Sequence, residues 1–363
     1  MRRRWMSAPE RWPANGAVTE DGVVYESVGV EWKASKALEL RLEPSRNTGS
    51  PSSAVRTTII ASTTHPKTAL VRWPALRRSS STGCKTLTER SVRELPTVVS
   101  FEASTPFEPN GRLNPDWVEW LVGLPEGYTD PDATLEASPR LDSNRLRLLD
   151  LRSGIGGRAL GLQPWCVVVG YCEADVHAQR VLEARQRDRV LDAAPIFDSP
   201  DAAVEACRGR VDMLAGTLDD PTVLAMERWI VELGVEAVLL ESSVAPTGGG
   251  RVEAFQTVLA SLRRHGFHSS WVSVQMAHYN VRRWVLLAKR RRVGFEGKAS
   301  PCWGAESAAR QTLDQWKLSK EQRRLRLRML GEVVGPQMIR TAVACMALAV
   351  DTDRANRTVG SAA

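Results

Sequence analysis

The residues most suited to chemistry in this 363-residue chain cluster around three glycines. The stretch "LDLRSGIGGRALGL", residues 149–162, breaks an apolar run with Ser153-Gly154-Ile155-Gly156-Gly157 and then resumes at helical spacing. Glycine lets backbone approach a ligand closely, and the amino end of a helix favours negative charge. Further on, Glu173 follows the apolar run "CVVVGYC" and is placed to bind a pair of ribose hydroxyls. Asp198, in "PIFDSP", is placed to accept from an adenine amino group. Taken singly, each has an ordinary alternative: a tight turn for the glycines, a solvated loop carboxylate for either acid.

Positioning such groups requires a sheet whose strands end side by side. Between 146 and about 290, strand-like runs ("LRLLDL", "CVVVGYC", "VDMLAG", "VEAVLLES", "WVSVQMA", "RRWVLLA") alternate with segments that are apolar at helical spacing, such as "DVHAQRVLEARQ" and "VEAFQTVLASLRRHG". This rhythm predicts an α/β, doubly wound, Rossmann-like sheet, mostly parallel and about seven-stranded. Helices over about 319–331 and 336–350 should close it, with the 113–124 segment packing back onto it. A glycine turn after the first strand, an acid after the second and an acid after the third is the layout of an S-adenosylmethionine site.

Charge and composition set limits on the rest. The net charge is +7, and residues 1–105 hold 16 Lys/Arg against 10 Asp/Glu. Basic clusters also stand at Lys289–Arg292 and Lys320–Arg328. A balance of this kind suits a polyanion, double-stranded DNA or another nucleic acid, through phosphate contacts; the bland counterpart is a solvated face. Residues 1–105 are rich in Ser, Thr, Pro and Arg and read as a basic, poorly defined region. The six cysteines show no CxxC pairing and no zinc spacing, the pattern of reduced thiols in an intracellular protein of cytoplasm or nucleoid, and no metal site is expected. No apolar run approaches a membrane span, and the Arg-rich start lacks the apolar core of a signal peptide, which leaves organelle targeting open.

In their order, these segments resemble the DNA (cytosine-5) methyltransferases. "LDLRSGIGGRALGL" is similar to that family's first motif, "YCEADVHAQRVLEAR" to the second and "APIFDSP" to the third. "VDMLAGTLDDP" stands at the Pro-Cys-Gln loop, "VEAVLLESSVAPTGGG" at the Glu-Asn-Val motif, "AHYNVRRWVLLAKR" at the Gln-x-Arg-x-Arg strand and "LRMLGEVVGPQMI" at the tenth motif. "LNPDWVEWLVGLPEGYTD", 113–130, resembles the ninth motif, which normally comes late in the chain, so the order looks circularly permuted. The resemblance implies a class I methyltransferase domain over 146–350 preceded by the ninth-motif segment within 106–145. It leaves 1–105 as a target-recognition domain or an extension, and 351–363 as a tail. It also implies that Ser153, Gly154, Gly156, Gly157, Glu173 and Asp198 line an S-adenosylmethionine site, and that Glu241 and Arg283 are remnants of the cytosine site.

The departures fall on functional positions. The family uses a thiolate to attack C6 of cytosine, and the loop here reads Gly216-Thr217-Leu218-Asp219-Asp220-Pro221, with Asp220 near the place of the missing cysteine. Ser242 and Ser243 replace the Asn-Val pair, Val281 the middle arginine and Glu332 the tenth-motif asparagine. Arg152 replaces the phenylalanine that would wall the adenine. The expectation is a homologue without cytosine-methylating activity, weak or lost in cofactor binding, that serves as a DNA-binding or structural module, with a protein partner also conceivable. The competing expectation is an active S-adenosylmethionine-dependent methyltransferase with altered chemistry, using Asp220 or Glu241 as a base.

Overall fold

The computed structural model describes residues 114–138, 145–243, 251–276, 282–290, 293, 295 and 318–346, together with backbone strands within 3–61. The basic region's remaining residues, the tail 351–363, Val281, Arg291 and Arg292 lie outside this set. The central elements, numbered from Leu146, are β1 (Leu146–Leu151), β2 (Cys166–Cys172), β3 (Ile196–Phe197), β4 (Met213–Thr217), β5 (Ala237–Ser242), β6 (His268–Met276) and β7 (Arg282–Lys289). They form one sheet in the order β6-β7-β5-β4-β1-β2-β3. Pairing is parallel from β3 through β5, while β7 runs antiparallel to both β5 and β6. The doubly wound α/β sheet read from the sequence is therefore present, with one reversed strand. The short strands Gly16–Val18 and Ile59–Ala61 pair with β6 and extend that edge.

The last four residues of β1 and all of β5 are buried because helices cover both faces, which is why both read as mainly apolar runs. On one face pack α4 (Pro200–Cys207), α5 (Asp220–Leu233) and α6 (Arg251–Arg264), around Phe255, which meets Trp271 and Trp284 edge-on at 5.3 and 4.9 Å. On the other lie α1 (Pro115–Val122), α2 (Gly157–Leu162), α3 (Val176–Arg187), α7 (Lys320–Glu332) and a last helix, α8, over 336–346. Five helices begin at a side-chain cap: Asn114 for α1, Asp175 for α3, Ser199 for α4, Asp219 for α5 and Ser319, in a capping box with Gln322, for α7.

The 113–130 segment docks where the sequence placed it. Val118, Val122, Leu124 and Tyr128 join the core formed with α7 and α8. What fixes it is charge. Arg326, on α7, donates Nε to Thr129 Oγ1 at 2.7 Å and Nη2 to Glu119 Oε1 at 2.7 Å and to Asp116. Glu119 also accepts from the backbone amides of Tyr128 and Thr129, and Arg326, Glu119 and Asp116 are all buried. The Tyr128 hydroxyl then donates to the carbonyl of Ile155 at 2.9 Å, so the segment grips the glycine turn itself.

This docking changes the meaning of the Lys320–Arg328 cluster. Arg323 is buried and donates to the Leu318 carbonyl, Arg326 is consumed as above, and Arg328 pairs with Asp175 at 2.6 Å. At the other cluster, Arg290 pairs with Glu236 at 3.3 Å and Lys289 lies 6.0 Å from the centre of the Phe295 ring. The cysteines among the described residues, 166, 172, 207 and 345, are all buried and outside any disulfide. Burial pushes the Cys172 thiol up to about 11. Among the described residues no helix is long and apolar enough to cross a membrane, and no cluster of His, Cys, Asp or Glu could hold a metal.

Candidate functional site

In a doubly wound sheet, ligands enter at the carboxyl ends of the strands where the order reverses, here between β1 and β4. The glycine turn lies there, and its residues do different jobs. Ser153 is buried and ties β1 to β2: its hydroxyl donates to the Asp150 carbonyl at 2.6 Å and accepts from the Cys172 amide at 3.1 Å. Gly154 has φ +55 and open space where a Cβ would stand. Gly156, at φ +86, would put a Cβ 2.6 Å from Leu191 Cδ1, and Gly157 would put one 2.4 Å from the Val334 carbonyl oxygen. Packing against the chain itself thus accounts for glycine at 156 and 157, whereas Gly154 alone faces room for a ligand. Gly157→Ala should therefore destabilise the protein by about 1–3 kcal/mol through overpacking against backbone. Gly154→Ala should cost only the left-handed strain, about 1–2 kcal/mol. Urea titrations give both values, and equal costs for a packing-neutral pair of variants would remove this distinction.

Glu173 is half-buried at the end of β2, its oxygens accepting from the Gly154 amide at 2.7 Å and the Asp175 amide at 2.8 Å. Asp198 is exposed just past β3, which runs beside β2, so the two acids flank neighbouring strand ends. Open space at Gly154 lies beside Glu173, whose carboxylate is spent partly on backbone amides.

Arg152 directly follows β1, beside the glycine turn. It adopts φ 54, is half-exposed, and forms an ion pair with Asp219, the cap of α5. This pair fastens the loop after β4 to the glycine turn. Asp220 is the first residue of α5, and its side chain lies outside the described set. Thr217, at the end of β4, donates to Glu241 at 3.1 Å, and the Leu218 amide donates to the Glu241 carbonyl at 2.8 Å.

The centre of the crevice holds a residue that motif reading passed over. Arg158, one position beyond the last glycine, turns back under the strand ends and is 3% exposed. Its Nε donates to Asp150 Oδ1 at 2.8 Å, and Nη1 to Thr217 Oγ1 and Glu241 Oε1, each at 3.2 Å. Nη2 donates to the carbonyls of Leu151 at 2.6 Å and Arg152 at 2.8 Å. Burial opposes the guanidinium's charge, but Asp150 and Glu241 more than offset it and hold its pKa above the ordinary value. Burial likewise lifts the Asp150 carboxyl, and Arg158 works against that rise. Glu241 is buried too, and its second oxygen is 3.9 Å from Arg283 Nε, beyond hydrogen-bonding reach. Arg283 instead donates to the carbonyls of Val333 at 3.1 Å and Glu332 at 3.4 Å. Glu241 and Arg283 thus stand 3.9 Å apart on the neighbouring strands β5 and β7. The only signal for Arg158 was a charged residue at an otherwise apolar helical position.

The strand order and flanking helices are those of a doubly wound, Rossmann-like α/β fold. Neither a protein-family model nor a curated protein matches the sequence. Among solved structures, a protein assigned as a DNA modification methyltransferase, encoded within a prophage of E. coli, aligns at 17% identity with TM-score 0.31, over 40% of this chain and 47% of its own. The precorrin-6y C5,15-methyltransferase of Geobacter metallireducens aligns at 9% and 0.33, over 44% and 96% respectively. An rRNA methylase of Streptococcus thermophilus aligns at 15% and 0.33, over 42% and 89%. The chain thus spans about half the length of the first of these. Likenesses this distant assign no substrate.

Proposed function

We propose that this chain is a methyltransferase-fold protein of the DNA (cytosine-5) type that no longer methylates cytosine and serves as a nucleic-acid-binding or structural module. The observation that carries this reading is the engagement of Glu241. Its one oxygen is held by Arg158 and Thr217 and both oxygens are buried, so the carboxylate that would receive a flipped base is already committed. No cysteine stands in the loop from Gly216 to Pro221 to add to C6. The residues fit S-adenosylmethionine only in part: the rim around Gly154 and Glu173 is suited to the adenosine, while the strand ends are filled by a cation where a cationic sulfonium would have to enter.

Double-stranded DNA remains the partner proposed from charge, now resting on residues 1–105 more than on the two later clusters. Binding should show little sequence preference and weaken steeply with salt, because each neutralised phosphate releases counterion. Incubation with labelled S-adenosylmethionine and mixed-sequence duplex should leave no 5-methylcytosine. Clear incorporation would establish the active-enzyme reading with altered chemistry. Affinity for duplex that is flat between low and physiological salt would remove the nucleic-acid partner.

A further inference from the structure

Among its charged neighbours, Arg158 is distinguished by complete satisfaction. A guanidinium carries five N–H donors. All five are used here, on Asp150, Thr217, Glu241 and the Leu151 and Arg152 carbonyls, and these acceptors belong to the ends of three adjacent strands, β1, β4 and β5. The acceptors are not satisfied in return. Asp150 Oδ2 and Glu241 Oε2 are buried without a hydrogen-bond partner, in residues 0% and 6% exposed. The pocket is thus a built receptor for a planar cation with acceptors to spare, set at the switch point where a doubly wound sheet takes its ligand.

We infer that this is a guanidinium site occupied by the chain's own Arg158, which closes the strand-end crevice to any small-molecule ligand from solution. The inference rests on reading that crevice as the former cofactor place. Three consequences follow from the contacts. A ligand reaching the strand ends must first displace a side chain that would abandon five hydrogen bonds, leaving Asp150 buried without a cation and Glu241 with Arg283 at 3.9 Å. The two carboxylates are matched by Arg158, in hydrogen-bond contact with both, and by Arg283 at 3.9 Å from Glu241, so removing Arg158 leaves one negative charge unmatched. And with the side chain cut back, the same acceptors should take a small monocation carrying planar N–H donors.

The experiment compares wild type, Arg158→Ala and Arg152→Ala, using methylguanidinium as one probe and S-adenosylhomocysteine as the other. Arg158→Ala should melt well below wild type. Millimolar methylguanidinium should raise its Tm by about 3 °C, the size expected of a ligand held well above its Kd, and leave wild type unmoved. Methylammonium, which lacks the planar fork, should do much less. If Arg158→Ala does not fold alone, the readout becomes refolding yield with and without methylguanidinium, and recovery only with it supports the site. By calorimetry, S-adenosylhomocysteine should bind Arg158→Ala but not wild type or Arg152→Ala. Binding to wild type as tight as to Arg158→Ala, binding gained by Arg152→Ala alone, or a methylguanidinium effect equal in variant and wild type would each overturn the inference. Methylguanidinium rescue without S-adenosylhomocysteine binding upholds the occupied site and overturns instead its reading as a former cofactor place.

Discussion

Arg326→Met should destabilise the protein by about 3–5 kcal/mol, the usual cost of breaking a buried ion pair by removing one partner. Arg326 is the only cation bonded to Glu119 among the described residues, and Glu119 is fully buried. Methionine matches much of the volume but leaves Glu119 and Asp116 without a counterion inside the core. Arg328→Met serves as the control on the same helix. Its pair with Asp175 is about one-third exposed on both sides, and such pairs contribute about 0–1 kcal/mol. The pH dependence separates charge from packing. Burial raises the Glu119 carboxyl above its ordinary value of 4.5, with Arg326 opposing the rise. Without Arg326 the folded-state value climbs further. A group whose folded pKa is raised contributes stability below its unfolded pKa and loses it as pH rises through the folded value. The deficit of Arg326→Met against wild type should therefore narrow as pH is lowered toward 4.5. Urea titrations across that range, followed by circular dichroism, measure it, and a deficit that is small or independent of pH would show that Arg326 only fills space.

That network also marks the boundary of what sequence could show. The sheet was legible because β1, β2 and β5 are predominantly apolar and the segments between them repeat at helical spacing, a signal local to each window. The glycine turn was legible for the same reason. The order reversal at β7 was not, since "RRWVLLAK" reads the same in either direction along a sheet. The roles of the arginines were hidden for a different physical reason. Arg326 finds Glu119 and Asp116 at 207 and 210 residues' separation, and Arg158 finds Glu241 at 83. A run of basic residues looks like a solvated or polyanion-facing surface until the fold supplies its acids. Arg185 repeats the lesson: it is buried on α3 and donates to the carbonyls of Gly127, Asp130 and Ala133, backbone groups that carry no sequence signature. The ends of the strands, where Ser153, Gly154, Glu173 and Glu241 gather, were found through their motif. What lies between them was not, because Arg158 fits no motif.

Asp220→Cys should not restore cytosine methylation, although it returns a thiol to the position nearest the family's nucleophile. Cytosine C5 becomes nucleophilic only once something adds to C6, and loss of a covalent nucleophile commonly removes on the order of 10⁶ in rate. The variant's thiol would sit in the first turn of the 14-residue α5, where helix N-termini favour the thiolate, so its ionisation is not what limits it. Position is. The chain between Thr217 and Asp219 is fastened on both sides, by the Leu218 amide on the Glu241 carbonyl and by Arg152 on Asp219. Glu241, which would orient the base, has its Oε1 held by Arg158 and Thr217. A reacting base would need that carboxylate and the thiol together, and near-attack geometry is lost when either is displaced by an ångström. The expected result is a variant whose new thiol is alkylated readily at neutral pH, while buried Cys172 is not, yet which incorporates no more label into duplex DNA than wild type. Adding Arg158→Leu to Asp220→Cys removes one of the two donors on Glu241 Oε1, leaving Thr217, and is the combination in which any residual methylation should first become measurable. Label incorporated by Asp220→Cys alone would mean that Arg158 does not hold Glu241 away from the base, and that only the thiol was missing.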